Sequence, residues 1–396
     1  METHPRGADW RSILLLLLSG ISSIILLSTG FVMFLAGLFE IAGHDESSVA
    51  STLTLAGGFI ILGIILLPAV YYSLMRILDK PVKSIPLNRI PTSLLIAIWV
   101  ISATLGIILE KRTSSPFILI PFNLVTVILP VWILLRIGLR GLNVGSPERL
   151  WGTFTVGITI VPLIIGILET ILLFIVGIMV LIGVVLNPES LKTIENLSTR
   201  LMYTSNPDTA LKILSPYLVN PALIILGLIF ISILVPIIEE TIKPLGVWMD
   251  PKKILSPRQG FAIGIICGAA YALVESLGVT PGIPEASNLL AIVRAGTDLL
   301  HILTTGLMGY ALVSSWREKK FLQLGFTFIL VVTIHGLWNA FAIASASEVL
   351  LKIAPNPSWW LQSLPTLSIT GLAIMTIMNI YLLYYSNRKI QLEDVV

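Results

Sequence analysis

The chain has 396 residues, of which 55% are hydrophobic and only 12% charged, with a formal net charge of +3 at pH 7. Soluble domains carry roughly 25% charged residues, so this composition excludes a water-solvated globule and leaves lipid as the solvent. The lone cysteine, Cys267, lies inside an apolar run and excludes a disulfide framework or a CxxC metal site, and no basic run with interleaved aromatics points to nucleic acid.

Ten apolar runs recur along the chain, at approximately 12–36, 51–76, 92–110, 116–138, 152–186, 222–248, 259–279, 287–315, 321–344 and 366–386. Each is long enough to cross ~30 Å of hydrocarbon as a helix of about 20 residues. None alternates as a strand would, so the predicted fold class is all-α, a polytopic transmembrane helix bundle of about ten helices. The first run is too long for a cleaved signal peptide and is read as a retained anchor. The fifth run is either one tilted helix or a hairpin broken near Pro162, and the charge distribution favours one helix. With ten spans, 17 of the 25 Lys and Arg fall on one side, which predicts cytoplasmic termini.

Residues 187–220 form the main polar stretch, punctuated by Asn187-Pro188, Asn206-Pro207 and Asn220-Pro221. Leu191, Ile194, Leu197 and Leu201 share a helical face there, which predicts a short helix on the outer membrane surface. The expected organisation is an N-terminal bundle of about five helices over 1–186, an extracytoplasmic loop over 187–220, and a C-terminal bundle over 221–396.

Ionisable residues inside spans cost several kcal/mol on insertion scales, so each needs a partner or a purpose. The C-terminal bundle holds many. The sixth run carries Glu239, Glu240 and Lys243; the seventh, Glu275; the eighth, Arg294, Asp298 and His301; the ninth, His335 and Asn339. Glu239 and Lys243, Arg294 and Asp298, and His335 and Asn339 are i, i+4 pairs, each on one helical face. Glu239 and Glu240 project about 100° apart. Helical rise puts the glutamate pair, His301 and His335 near midplane, with Glu275 nearer the outer face. Gly264, Gly268, Tyr271 and Glu275 form one stripe, whose glycines admit a close neighbour. Lys243 and Arg294 read as neutralising Glu239 and Asp298, Asn339 as interhelical glue or a site residue, and Asp298 as an orienter of His301. Glu169, within the fifth run, is a separate intramembrane carboxylate.

Peptide hydrolysis needs a base to activate water and an electrophile for the oxyanion. Glutamate suits the first role. Two histidines with a carboxylate suit zinc, with His301, His335 and Glu275 as the candidate ligands, while a metal-free mechanism would use the same residues to hold water. No HExxH motif is present, so the groups must come from separate helices. The same groups also suit a proton-coupled transporter or channel, or a scaffold without activity; the absence of a visible repeat speaks against a transporter.

Glu239-Glu240-x-x-Lys243, the glycine-rich helix ending in Glu275, Arg294 six positions before His301, and His335-Gly-Leu-Trp-Asn339 resemble, in order and spacing, the PrsW family of intramembrane proteases. That family is related to the CAAX prenyl endopeptidases and bacteriocin-processing proteins. The resemblance covers roughly residues 230–345. It implies an endopeptidase of a prokaryotic cell membrane that cuts a single-pass membrane protein within the lipid bilayer, as in site-1-type release of an anti-sigma factor. By the same resemblance, Glu239 and Glu240 activate water, and His301, His335 and Asn339 hold the water or metal and the oxyanion.

Overall fold

Residues 10–40, 46–82, 90–112, 115–218, 220–249, 256–279, 287–347, 351 and 359–392 are described by a computed structural model. Arg6, Lys83, Arg89, Lys252, Lys253 and Lys352 of the basic tally lie outside them. Proline opens many helices, at the first position where its missing N–H would have had no partner in any case. The three Asn-Pro pairs are such starts. Asn187 accepts from the backbone N–H groups of Glu189 and Ser190, Asn206 from Thr209, and Asn220 from Ala222.

In chain order the helices are α1 (Trp10–Glu40), α2 (Glu46–Ile77), α3 (Thr92–Glu110), α4 (Pro116–Gly138), α5 (Pro147–Val185), α6 (Pro188–Met202) and α7 (Pro207–Leu218). Then come α8 (Pro221–Ile229), a π turn (Phe230–Leu234), α9 (Val235–Ile242), α10 (Leu245–Trp248), α11 (Pro257–Val279), α12 (Ser287–Glu318), α13 (Phe321–Ser345) and α14 (Trp359–Leu392). Among the described residues regular structure is entirely helical, and ten segments have the length and apolarity to span a membrane. These ten correspond to the ten predicted runs. Pro162 sits inside α5, which continues through it as a single helix, so the fifth run is no hairpin. The sixth run is less regular than expected, being broken by the π turn and again before α10 at Pro244.

Contacts divide the chain into two units interleaved in sequence. One comprises Met1–Pro162, Ile242–Phe328 and Met378–Val396; the other, Leu163–Thr241 and Ile329–Ile377.

The first unit inverts the pattern of a soluble bundle. Along α1 the buried residues are Ser12, Ser19, Ser23, Gly30 and Gly37, while Leu14, Ile21, Ile25 and Phe39 are exposed. Small residues let α2 approach closely where burying apolar area gains little against lipid. Ser23 Oγ donates to the Gly63 carbonyl at 2.9 Å across that contact. Helix α11 is buried almost throughout, and with α4 and α12 it supplies much of the core. Cys267 is buried in a cluster with Val247, Ile263, Leu312 and Val313, a packing role as its apolar context predicts. The C-terminal turns of α14 dock through Asn387, whose amide donates to the carbonyls of Gly138 and Arg140 at 2.7 and 3.1 Å.

Glycines determine how α11 and α12 meet. A Cβ at Gly260 would strike the Gly309 carbonyl, one at Gly264 the Thr305 carbonyl, and one at Gly268 the His301 carbonyl. Partner numbers fall by four as glycine numbers rise by four, so the helices run antiparallel with backbones in contact.

In the second unit, α13 packs on the π turn. Gly336 lies against the Ser232 carbonyl, where a Cβ has no room. Amphipathic α6 buries none of its residues, and its Leu191 and Ile194 are exposed. Glu169 lies on the α5 portion of this unit, partly buried.

Candidate functional site

The predicted site residues fall into two histidine clusters, one in each unit. Lys243, Glu275, Arg294, Asp298 and His301 belong to the first unit; Glu239, Glu240, His335 and Asn339 belong to the second.

In the first unit the α11–α12 contact sets the geometry. Side chains on a helix lean toward its N-terminus, so on antiparallel neighbours Glu275 and His301 lean toward each other. His301 Nε2 lies 2.6 Å from Glu275 Oε2. Glu275, expected at the margin because of its depth, is thus the carboxylate on this histidine. Its other oxygen accepts from Arg294 Nη1 at 3.0 Å. Arg294, expected to neutralise Asp298 one turn along its own helix, does interact with that carboxylate electrostatically, while its hydrogen bonds go to Glu275 and, through Nε, to Ser276 Oγ at 3.1 Å. Ser276 in turn donates to Asp298 Oδ1 at 2.6 Å. Asp298 is therefore held by a hydroxyl on α11, in place of the expected role of orienting His301.

On the far edge of the ring, the Lys243 ammonium sits 2.8 Å from His301 Nδ1 and 5.3 Å above the Tyr271 ring. Lys243 was expected to neutralise Glu239; it is fully buried and serves His301. As an ammonium has only donors, Nδ1 accepts, and the ring proton belongs on Nε2 facing Glu275. Tyr271 meets His301 edge-on at 5.2 Å. Two basic and two acidic side chains surround the histidine, and this balance lowers the cost of burying any one of them. Ser276 was missed by sequence reasoning. Its only signal was a hydroxyl beside an intramembrane glutamate, and Ser and Thr are common inside spans.

In the second unit both glutamates address His335. Glu240 Oε1 lies 2.8 Å from Nδ1, and Glu239 Oε2 lies 3.9 Å from Nε2. The 100° between them on α9 puts them on opposite edges of one ring. Glu240 and His335 are buried, and Glu239 nearly so. With Nδ1–H donated to Glu240, the Nε2 lone pair faces Glu239, a carboxylate–imidazole arrangement that orients the ring and fixes its tautomer.

A gap of 3.9 Å is too wide for a hydrogen bond. It approaches the roughly 3.4 Å between two ligands of a tetrahedral metal with bonds of about 2.0–2.2 Å. The donor set, one imidazole nitrogen and one carboxylate oxygen, is also one that zinc accepts. Glu239 and His335 therefore fit two positions of such a centre.

The π turn matters here because its extra residue rotates everything that follows it on the helix, and such turns recur at functional sites. Its Ile231 carbonyl accepts from Asn339 Nδ2 at 3.0 Å. Gly336 and Asn339 thus clasp the π turn, which seats α9 against His335. Replacing Asn339 with Leu is expected to lower stability by about 0.6–1.7 kcal/mol, the range for interhelical hydrogen bonds in membranes. Thermal melting of the detergent-purified protein would show it, and an unchanged midpoint would refute it.

Comparison with known proteins follows the same residues. A family model described as PrsW family intramembrane metalloprotease matches residues 146–362, more than half of the chain and all nine residues of the two clusters. No curated protein and no solved structure matches the chain.

Proposed function

The chain belongs to the PrsW family of intramembrane metalloproteases, and from that premise we propose that it cuts a single-pass membrane protein with Glu239 as the proton acceptor. It is an integral membrane peptidase, and a peptidase of that setting needs water activated away from bulk solvent. The observation that carries the assignment is the 3.9 Å gap between Glu239 Oε2 and His335 Nε2. A single atom, a water oxygen or a cation, bridges such a gap. Glu240, already bonded to Nδ1, positions the imidazole.

In this reading Glu239 takes a proton from the attacking water, and the water oxygen forms its bond to the scissile carbonyl carbon. The proton then passes to the leaving amine as the C–N bond breaks. Asn339, held on the π-turn carbonyl, is a positioning residue. His301, with its proton directed by Lys243 and Glu275, is proposed as a further catalytic group of the first unit. A divalent cation held by His335 and Glu239 would supply Lewis-acid polarisation and acidify water. The second oxygen of Glu239 would remain to accept a proton.

Quantitative proteomics of membranes containing wild type or Glu239→Gln tests the substrate class. Full-length single-pass proteins are expected to accumulate with the variant, and an identical membrane proteome would overturn the reading. For the metal, elemental analysis of the purified protein is expected to give about one divalent ion per chain, lost in His335→Ala. A metal content equal in both proteins would remove the metal assignment and leave the water-holding role. The same carboxylates and histidines would suit a proton relay, but the family match favours hydrolysis.

A further inference from the structure

Arg294 has two carboxylates to choose between, one on its own helix and one across the contact. Asp298 stands four residues on along α12, so the two share a helical face, and Asp298 leans back toward Arg294 as helical side chains do. Glu275 lies on α11. The guanidinium interacts by charge with both. Its hydrogen bonds nevertheless go across the contact, from Nη1 to Glu275 Oε1 at 3.0 Å and from Nε to Ser276 Oγ at 3.1 Å.

Ser276 stands between the rivals. Its hydroxyl donates to Asp298 Oδ1 at 2.6 Å while accepting from Arg294 Nε, so it engages both charged groups at once. Ser276 and Asp298 are buried, and the Arg294 side chain is only 11% exposed. Arg294 Nη2 and Asp298 Oδ2 make no hydrogen bond among the described residues. A direct pairing along α12 therefore has a donor and an acceptor in place, and inside a span little water competes with such a pairing. If Arg294 moved to it, Glu275 would lose the anchor on one oxygen. Its other oxygen is the one that lies 2.6 Å from His301 Nε2.

We propose that Ser276 is a positioning residue: its hydroxyl keeps Arg294 on Glu275 instead of Asp298, and so aims Glu275 at His301. Asp298 is then both the anchor of the serine and the competitor for the arginine. The effect on rate rests on His301 as a catalytic group, whereas the geometry rests on the first unit alone.

Magic-angle-spinning NMR of the full chain in bilayers, labelled with ¹⁵N-histidine, tests the geometry without turnover. The chain has four histidines, and the ring resonances lost in His301→Gln assign that residue. In Ser276→Ala the His301 Nε2 resonance is expected to shift while those of His335 stay in place, which also reports an intact second unit. Adding Asp298→Asn to Ser276→Ala removes the competing charge and should return the resonance, a recovery that lost packing at Ser276 would not show. Arg294→Lys keeps the charge but loses the forked donors, and should shift the same resonance. With substrate, Ser276→Ala is expected to lower kcat about 10–100-fold, the range for groups that orient a ligand from behind, with KM unchanged. The double variant should regain that rate. A His301 signal unmoved in Ser276→Ala or in Arg294→Lys, or not restored by Asp298→Asn, would overturn the proposal. A signal that shifts and is restored while kcat stays constant would uphold the positioning and remove His301 from the chemistry.

Discussion

Replacing Glu239 with Gln is expected to lower turnover by about 10²–10⁴-fold, the contribution of a positioned general base, with no loss of helical content. Glutamine keeps the shape of the side chain and removes the proton-accepting charge. Glu240→Gln is expected to cost only about 10–100-fold, as for residues that orient a ligand from behind. The inequality follows from geometry. Glu240 is bonded to Nδ1 at 2.8 Å, whereas Glu239 stands 3.9 Å from Nε2 across a gap that a reacting atom can occupy. Reconstituted enzyme with a substrate drawn from the proteomic comparison would give both rate constants. A deeper lesion in Glu240→Gln would reverse the assignment of the pair.

Gly268→Val is the second large effect. The added Cβ meets the His301 carbonyl, which is backbone and cannot rotate away. Overpacking of this kind costs about 1–3 kcal/mol, so the thermal midpoint in detergent should fall. The helices can separate only by moving His301, and a shift of about 1 Å at a catalytic group costs on the order of 10²-fold in rate. Gly278→Ala, on the same helix with nothing within 4 Å of its Cβ, is the control and should change neither stability nor turnover. Equal effects of the two substitutions would show that helix propensity, and not the α11–α12 contact, was being measured.

Much of the molecule was legible in the sequence, for reasons that differ by element. The ten spans were readable because lipid demands long apolar runs. Both histidines and the carboxylates were readable because a buried ionisable group is too costly to be incidental. Which of them would meet was not. Lys243 lies on His301, and Arg294, besides its charge interaction with Asp298, lies on Glu275 and Ser276. Helical spacing ranks neighbours within one helix, while the Arg294 pairings with Glu275 and Ser276 depend on the rotation of α11 against α12, which the contacts at Gly260, Gly264 and Gly268 determine. The π turn was invisible for another reason. Phe230 to Leu234 is an ordinary apolar stretch, and its partners Gly336 and Asn339 lie more than a hundred residues away.

That π turn has a bearing on how relatives should be compared. An extra residue in a turn is a matter of length, not of side-chain identity, so scanning mutagenesis through Phe230–Leu234 will find few sensitive positions. The information is in the count. In a relative whose helix is regular at this point, the paired glutamates belong one place out of register with Glu239 and Glu240, and an alignment that forbids a gap there will equate the wrong residues.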